Sequence, residues 1–370
     1  MKRERLHTPD KRRVLCIGPL PPPVHGSAMM TQIIKDSTFI NDRIVLDWVN
    51  LSTSRKIEEI GHGSFTKLGR FTASYFKTFW KLMTRKYDAC YIAITCHGTG
   101  FLKDAPFALM CKLAGHKLIL HQHNKGMAAD VDRPVFRWLL KKVYSGAKVI
   151  LLSWHLFPDI EKIVSQSQVT ICPNGIPDVP MVKSSHQSRP RFLFLSNLME
   201  SKGVITVLDA CRQLKHRGYI FECRFVGGET IEIDNSRFNK EKSSRGLDGE
   251  VVYAGRKYGD DKHREFSEAD IFVFPTSDDC FPLVLLEAMQ HSLPVISTEI
   301  GGIPDMVEDG ANGLIVPVND AARLADAMAR LLDSPQERER FGRNGKEKLN
   351  SKYTLRRFEE NIFACLNQDI

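Results

Sequence analysis

From Arg13 the chain alternates short apolar runs with stretches of helical spacing: "RVLCIG", a helix from about Gly26, "RIVLDWV", a long helix near 65–84, "DACYIAI", a helix near 103–114 and "KLILH". The alternation continues through a helix near 131–144 into "AKVILLS" and "QVTICP". Runs such as Val14 to Ile17 and Val149 to Leu152 are apolar at successive positions and not at every second one. A parallel strand covered by helices on both faces has that pattern, because neither of its faces meets water. The first half therefore reads as a doubly wound α/β domain.

The stretch "NGIPDVPMVKSSHQSRP" breaks the pattern with prolines, serines and polar residues, as an interdomain linker does. The alternation then restarts with "RFLFLS" and a helix whose apolar residues Val204, Val207, Leu208, Cys211 and Leu214 recur at helical spacing. The runs "FECRFVGG", "VVYAG", "DIFVFP", "LPVIS" and "GLIVP" complete a second parallel sheet. In the final segment Leu355, Phe358, Ile362, Phe363 and Leu366 lie on one stripe of an amphipathic helix. The expected organisation is an N-terminal domain over 1–176, a linker over 177–190, a second domain over 191–352, and a terminal helix over 353–370. In two open α/β sheets, ligands collect at the carboxyl ends of the strands, so the loops leaving strands are the informative ones.

Composition narrows the class. The 370 residues, 42% hydrophobic and 26% charged, fit a soluble globular chain of two domains. No apolar run approaches the roughly 20 residues of a membrane span, and the apolar part of the basic N-terminus is too short for a signal-peptide core. A cytoplasmic protein is expected. Nine cysteines at scattered positions, with neither a CxxC pair nor metal-ligand spacing, read as reduced core thiols. The net charge of +8 favours an anionic partner: a nucleotide, a nucleic acid or an acidic membrane surface.

The most informative loop lies in "SDDCFPLVLLEAMQHSLPVISTEIGGIP". If "DIFVFP" is a strand, residues 276–281 are its exit loop and Pro282 suits the first turn of a helix running to about His291. Asp279 then sits in the loop and Glu287 in the helix. The helix N-terminus, with its free N–H groups near Phe281, Pro282, Leu283 and Val284, attracts phosphate, and flanking carboxylates accept hydrogen bonds from vicinal hydroxyls. The competing reading makes Asp279 an N-terminal cap and Glu287 a surface charge.

The forty residues from Asp278 to Pro317 resemble the donor-binding signature of family-4 retaining glycosyltransferases of the GT-B fold. That family carries two acids separated by seven positions, then an "EAM…G.PV", a Gly-Gly-Ile-Pro and an Asn-Gly. The resemblance implies that Glu287 holds the nucleotide ribose and that Asp279, where the family usually has Glu, meets the donor sugar hydroxyls. "SNLMESKGV" is similar to the family's Gly-Arg…Lys-Gly segment, which makes Lys202 the cation facing the donor diphosphate. Asn197 stands there in place of the usual Arg, so Lys202 is expected to carry more of the charge, helped by Arg256 or Lys257. In "IGPLPPPVHGSAMM", His25-Gly26 occupies the place of two family glycines, and Gly26 permits close backbone approach at a helix start. This loop is neither a GxGxxG nor a P-loop.

In "LILHQHNKG", His121 and His123 share one face of a strand end. They lack a third ligand for zinc, and the resemblance places His123 beside the donor sugar and its diphosphate. His97 in "HGTGF" and His121 are the candidates for the acceptor side. "DVD" at 130–132 resembles a metal-binding Asp-x-Asp but precedes a helix near Pro134, where capping is the simpler role. The helix "FTKLGRFTASYFKTFWKLMTRK" mixes aromatic and basic residues. It reads either as a surface facing an anionic membrane or lipid acceptor, or as an interior helix with snorkelling lysines. Aromatic residues interleaved with basic ones also suit nucleic acid, but no nucleic-acid module is recognisable.

These features lead to the expectation of a GT-B retaining, metal-independent hexosyltransferase with two Rossmann-like domains facing across a cleft and the terminal helix returning to the first. It would take a nucleotide-diphosphate sugar, need no cofactor, and glycosylate a saccharide or lipid-linked acceptor, in surface polysaccharide or lipopolysaccharide assembly, at most peripheral to the inner face of the cell membrane. Catalytic roles fall to His123, Lys202 and Asp279, and donor binding to Gly26, Asn197, Lys202, Phe281, Pro282, Leu283, Val284 and Glu287. The alternatives are a nucleotide-sugar 2-epimerase of the same fold and a catalytically silent membrane-associated partner.

Overall fold

The computed structural model describes residues 11–22, 26–52, 65–179 and 189–368. The chain divides into two compact units, one of Met1–Pro173 with Phe358–Ile370 and one of Asn174–Arg357. The chain thus passes between units twice, after Pro173 and after Arg357. Within the second unit the two crossings lie side by side, because Ile176 and Thr354 form an isolated parallel bridge. Most of the expected linker, residues 180–188, lies outside the described residues.

The first unit holds a parallel sheet of β1 (Arg13–Gly18), β2 (Val45–Asn50), β3 (Ala89–Ile94), β4 (Lys117–Gln122), β5 (Lys148–Leu151) and β6 (Val169–Ile171) in the order β2-β1-β3-β4-β5-β6. All six residues of β3 are buried, as a continuous apolar run requires of a central strand. Helices Phe65–Thr84, Gly98–Leu113 and Pro134–Tyr144 follow β2, β3 and β4 and pack side by side in that order. The helix near 65–84 matches its expected bounds, whereas the one near 103–114 starts five residues earlier and continues through Pro106. The terminal helix Leu355–Asn367 buries Phe358, Ile362 and Leu366, and Phe363 meets Phe39 of the first unit edge-on at 5.6 Å.

The second unit repeats the plan with β7 (Arg191–Leu195), β8 (Glu222–Val226), β9 (Val251–Tyr253), β10 (Ile271–Phe274), β11 (Val295–Thr298) and β12 (Gly313–Val316). Their order is β12-β11-β10-β7-β8-β9, all parallel. Its centre is aromatic: Phe194 lies 5.0 Å from Phe225 and 6.2 Å from Phe274, ring to ring. Each such side chain buries roughly 150–250 Å², so this layer is a large apolar contribution to the unit.

Close backbone packing is most exacting where helix Pro335–Lys352 crosses the turn after helix Leu283–Gln290. A Cβ on Gly342 would come within 2.0 Å of the Ser292 carbonyl oxygen, while one on Gly69, exposed in helix Phe65–Thr84, would meet nothing within 4 Å. Gly342→Ala should therefore destabilise the second unit by about 1–3 kcal/mol through overpacking, and Gly69→Ala should stabilise the first by about 0.5–1 kcal/mol through lost chain entropy. Urea denaturation of the two variants checks the opposite signs.

Candidate functional site

In the second sheet the chain runs outward from β7 to β9 in one direction and from β10 to β12 in the other, so the order reverses between β7 and β10. At such a reversal the two exit loops diverge onto opposite faces and leave a crevice at the strand ends. Here the two loops are tied together at their bases. The Ser277 N–H donates to the Ser201 carbonyl at 2.8 Å, and the hydroxyls of Ser277 and Thr276 reach the same oxygen, both at 3.1 Å.

The tie brings Lys202 and Asp279 into contact. Lys202 Nζ lies 2.9 Å from Asp279 Oδ2 and 2.6 Å from the Asp278 carbonyl. Lys202 ends the short turn Glu200–Lys202, and Gly203 follows with φ 90°, where a Cβ would stand 2.6 Å from the Pro275 carbonyl oxygen. A side chain at 203 would push the lysine loop off the acidic one. The other carboxylate oxygen of Asp279 accepts the Cys280 N–H at 3.0 Å. Asp279 does not cap the next helix, whose N-cap is Pro282 with no side-chain cap bond. The capping alternative for Asp279 is thereby removed.

Helix Leu283–Gln290 starts one residue later than expected and ends before His291. Phe281 and Pro282 are buried, the former packing edge-on to Tyr353 at 5.9 Å. From Phe281 to Gln290 the partly exposed residues are Leu283, Val284 and Glu287, so one edge of the helix start faces outward with the acid one turn on. Glu287 is not a free surface charge: its Oε1 lies 2.6 Å from Nζ of Lys262, on helix Gly259–Ser267. Lys262 was missed in the sequence because it sits in "YGDDKHREF", which carries no motif, and only the fold brings it to Glu287.

Two further loops complete the edge. Asn197, after β7, accepts the Gly228 N–H at 3.3 Å, and the Leu198 N–H returns to the Gly228 carbonyl at 2.8 Å. Gly228 is also where the Arg256 guanidinium lies, with Nη2 2.2 Å from the position of a Cβ. An arginine thus stands beside Asn197, supplied by the loop after β9. The Gly-Gly pair after β11 has a similar steric origin: Gly301, at φ 55°, would put a Cβ 2.4 Å from the Asp279 carbonyl oxygen, and the Gly302 N–H donates to Cys280 O at 2.6 Å.

The first unit presents its own loop edge. Gly26 opens helix Gly26–Asp36 and is exposed, while His25 lies outside the described residues. His97 is exposed at the start of helix Gly98–Leu113 and packs on Gly126, whose φ of 123° admits no ordinary side chain. The loops after β3 and β4 are joined by Cys96 N–H to Asn124 Oδ1 at 3.2 Å and by Gly98 N–H to Asp130 Oδ2 at 2.6 Å. Asp130 is thus a structural acceptor, held below the usual carboxylate range by the Gly98 N–H, and Asp132 is an exposed partner of Arg137. Among the described residues no group of three His, Cys, Asp or Glu side chains could hold a metal ion.

His123 follows β4 and is half-buried, its ring 4.0 Å from that of His121. His121 needs correction as an acceptor-side residue: it is fully buried within β4, with Nδ1 2.8 Å from the Tyr91 hydroxyl. Burial, and secondarily His123, holds its pKa well below the ordinary value, so the ring is neutral. It supports His123 from beneath, and its own ring is closed off from solvent. Spacing alone put both histidines on one face without showing that the sheet continues past the first.

The family model for glycosyl transferases group 1 matches residues 180–348. The amylovoran biosynthesis glycosyltransferase AmsK of Erwinia amylovora is 33% identical over 147 residues, covering 38% of this chain and 35% of that protein. The alpha-D-kanosaminyltransferase of Streptomyces kanamyceticus is 31% identical over 286 residues, covering 70% of this chain and 72% of that protein. Among solved structures, Anabaena Alr3699/HepE in complex with UDP superposes with a TM-score of 0.75 at 16% identity, over 96% of this chain and 99% of that one. The fold is GT-B, with two Rossmann-like units.

One buried acid makes the first unit's loop edge sensitive to pH. Asp104 accepts the Thr95 N–H at 2.8 Å, and burial raises its carboxyl to about 6 despite that bond. An unfolded aspartate loses its proton near 3.9, so between the two values the folded chain binds more protons and stability falls as pH rises from about 4 to about 6. Asp104→Asn should abolish that fall, on the order of 2 kcal/mol, in denaturation midpoints measured across this window.

Proposed function

The chain belongs to the glycosyl transferases group 1 family, and from that premise we propose that it moves a sugar from a nucleotide-diphosphate donor to a hydroxyl of a saccharide or lipid-linked acceptor. In this reading the anomeric configuration is retained and the charges that stabilise the leaving group are borne by the protein. The observation that carries it is the Lys202–Asp279 pair at the strand-order reversal, beside a helix start whose outward edge ends in Glu287.

The hard step is cleavage of the anomeric C–O bond, during which positive charge grows on the sugar ring and negative charge on the departing diphosphate. A diphosphate against the first turn of helix Leu283–Gln290 meets the positive end of its dipole. Lys202 stands in the adjacent loop, and Arg256 offers the forked donor that Asn197 lacks. Glu287 is assigned to the ribose hydroxyls and Asp279 to those of the sugar. Both acids are already paired with lysines, which aims their oxygens at fixed partners as acceptors, a poor placement for a general base. His123, backed by a neutral His121, is assigned to positioning the sugar or assisting the departing phosphate.

AmsK, by its name, serves amylovoran biosynthesis, and the chain spans 35% of it, so a role in surface polysaccharide or lipopolysaccharide assembly is part of the proposal. UDP in the complex of Alr3699/HepE makes UDP-sugars the first donors to try.

Four measurements test this reading. A thermal-shift panel of UDP-, GDP- and ADP-sugars should raise the melting temperature with one nucleotide class, and a flat response across the panel would overturn donor binding. Glu287→Ala should weaken donor binding about 10- to 100-fold by calorimetry, the magnitude of a lost hydrogen bond to a charged group. Unchanged nucleotide affinity would remove its ribose role. Lys202→Ala should lower kcat by about 10²–10³-fold with any active donor and acceptor. Incubating the donor with and without acceptor separates transfer from epimerisation, because only an epimerase alters the donor sugar alone.

A further inference from the structure

Helix Phe65–Thr84 settles which of its side chains the core takes. Thr78 and Leu82 are buried, and Tyr75 stacks on Phe107 at 4.3 Å with Phe71 against both rings. Lys81 and Arg85 both pair with Asp47 of β2. The remaining apolar residues turn outward: Phe76 is 70% exposed, Phe79 54%, Trp80 68% and Met83 68%. At 100° per residue these four fall within an arc of about 100°, a continuous stripe along two turns. Scattered exposed apolar residues need no explanation, but a stripe holding three large aromatic rings does.

The neighbouring helices also expose large apolar residues. Leu102 and Leu113 are exposed on helix Gly98–Leu113, and Val135 and Trp138 on helix Pro134–Tyr144. These three helices pack in sequence on the same side of the first sheet. Their charge is one-sided: four basic residues in the first helix, two in the second and three in the third, against a single acid, Asp104, which is buried. The exposed acid nearest in sequence, Asp132, is paired with Arg137. None of the described helices is long and apolar enough to cross a membrane.

We propose that this three-helix face of the first unit docks on an anionic lipid bilayer, with Phe76, Phe79, Trp80 and Met83 seated among the acyl chains and Lys77, Lys103 and Lys141 against the headgroups. Large apolar rings bordered by lysines, on three helices that show no exposed acid among the described residues, suit the interface, where the rings gain from burial and the cations from the negative surface potential. A protein partner of ordinary composition offers no such uniform negative charge around an apolar interior, and a second copy of this chain would bring basic residues against basic residues. The proposal does not depend on the donor-site reading, and its readout is binding to lipid.

Co-sedimentation of the full chain tests it, with phosphatidylcholine vesicles and with vesicles containing roughly 30% phosphatidylglycerol. The chain should partition onto the anionic vesicles and be released as sodium chloride rises to about 0.5 M. The exposed triple variant Phe79→Ser, Trp80→Ser, Met83→Ser should lose about tenfold or more in partition. Lys77→Glu, Lys103→Glu, Lys141→Glu should lose more than tenfold, since each cation contributes about fivefold. Lys240→Glu, Arg323→Glu, Arg343→Glu, which makes the same net change on the second unit, should lose much less. No binding by the wild type, equal binding to neutral and anionic vesicles, or equal loss in both charge variants would overturn the proposal. So would a concentration-dependent dimer in ultracentrifugation that the apolar variant abolishes, since the face would then belong to a second copy. Circular dichroism and nucleotide thermal shifts, unchanged in all variants, keep these outcomes separate from misfolding and from failure of the donor site.

Discussion

The reversal of strand order between β7 and β10 is the constraint on which the second unit's chemistry depends. Parallel strands deliver all their exit loops to one edge, and a reversal sends neighbouring loops apart to opposite faces. Two loops that would otherwise diverge are tied at their bases by three hydrogen bonds to a single carbonyl, that of Ser201. Lys202 and Asp279, 77 residues apart in the chain, become an ion pair as a result. The glycines around them follow from the same crowding. Gly203 admits the Pro275 carbonyl and Gly301 the Asp279 carbonyl, both at distances that no Cβ allows.

Charge at this edge is arranged in pairs. Lys202 faces Asp279 and Lys262 faces Glu287, all four only partly exposed. Partial burial strengthens such contacts relative to surface pairs, because water screens them less. It also holds each carboxylate against a lysine, so the edge combines two ion pairs with a helix dipole. Arg256 and Asn197 meet the same glycine, Gly228, on this edge. An electrostatic cradle of this kind suits a reaction whose difficulty lies in charge separation.

The first unit combines two different edges. At its strand ends, His123 rests on a neutral His121, which Tyr91 holds inside the sheet, while Asp130 and Asn124 join the loops after β3 and β4. On its flank, the helices after β2, β3 and β4 show apolar and basic side chains that neither the sheet nor any described neighbour covers. The inner half of helix Phe65–Thr84 is conventional packing; its outer half is not, and the division runs between Tyr75 and Phe76, two adjacent aromatic residues.

The sequence by itself determined the two parallel sheets, the helix at 65–84, the loop position of Asp279 and the helical position of Glu287. Each of these rests on local information: the period of apolar residues, a proline at a helix start, or one contiguous motif. Tertiary structure alone decided that Glu287 pairs with Lys262, that Arg256 stands beside Asn197, that His121 is sealed in the core while His123 is not, and which aromatics of one helix face outward. Those outcomes depend on which strands lie next to each other and on what covers a given face. Periodicity tells that a residue has a side to hide, but strand order and neighbouring elements decide what it is hidden against.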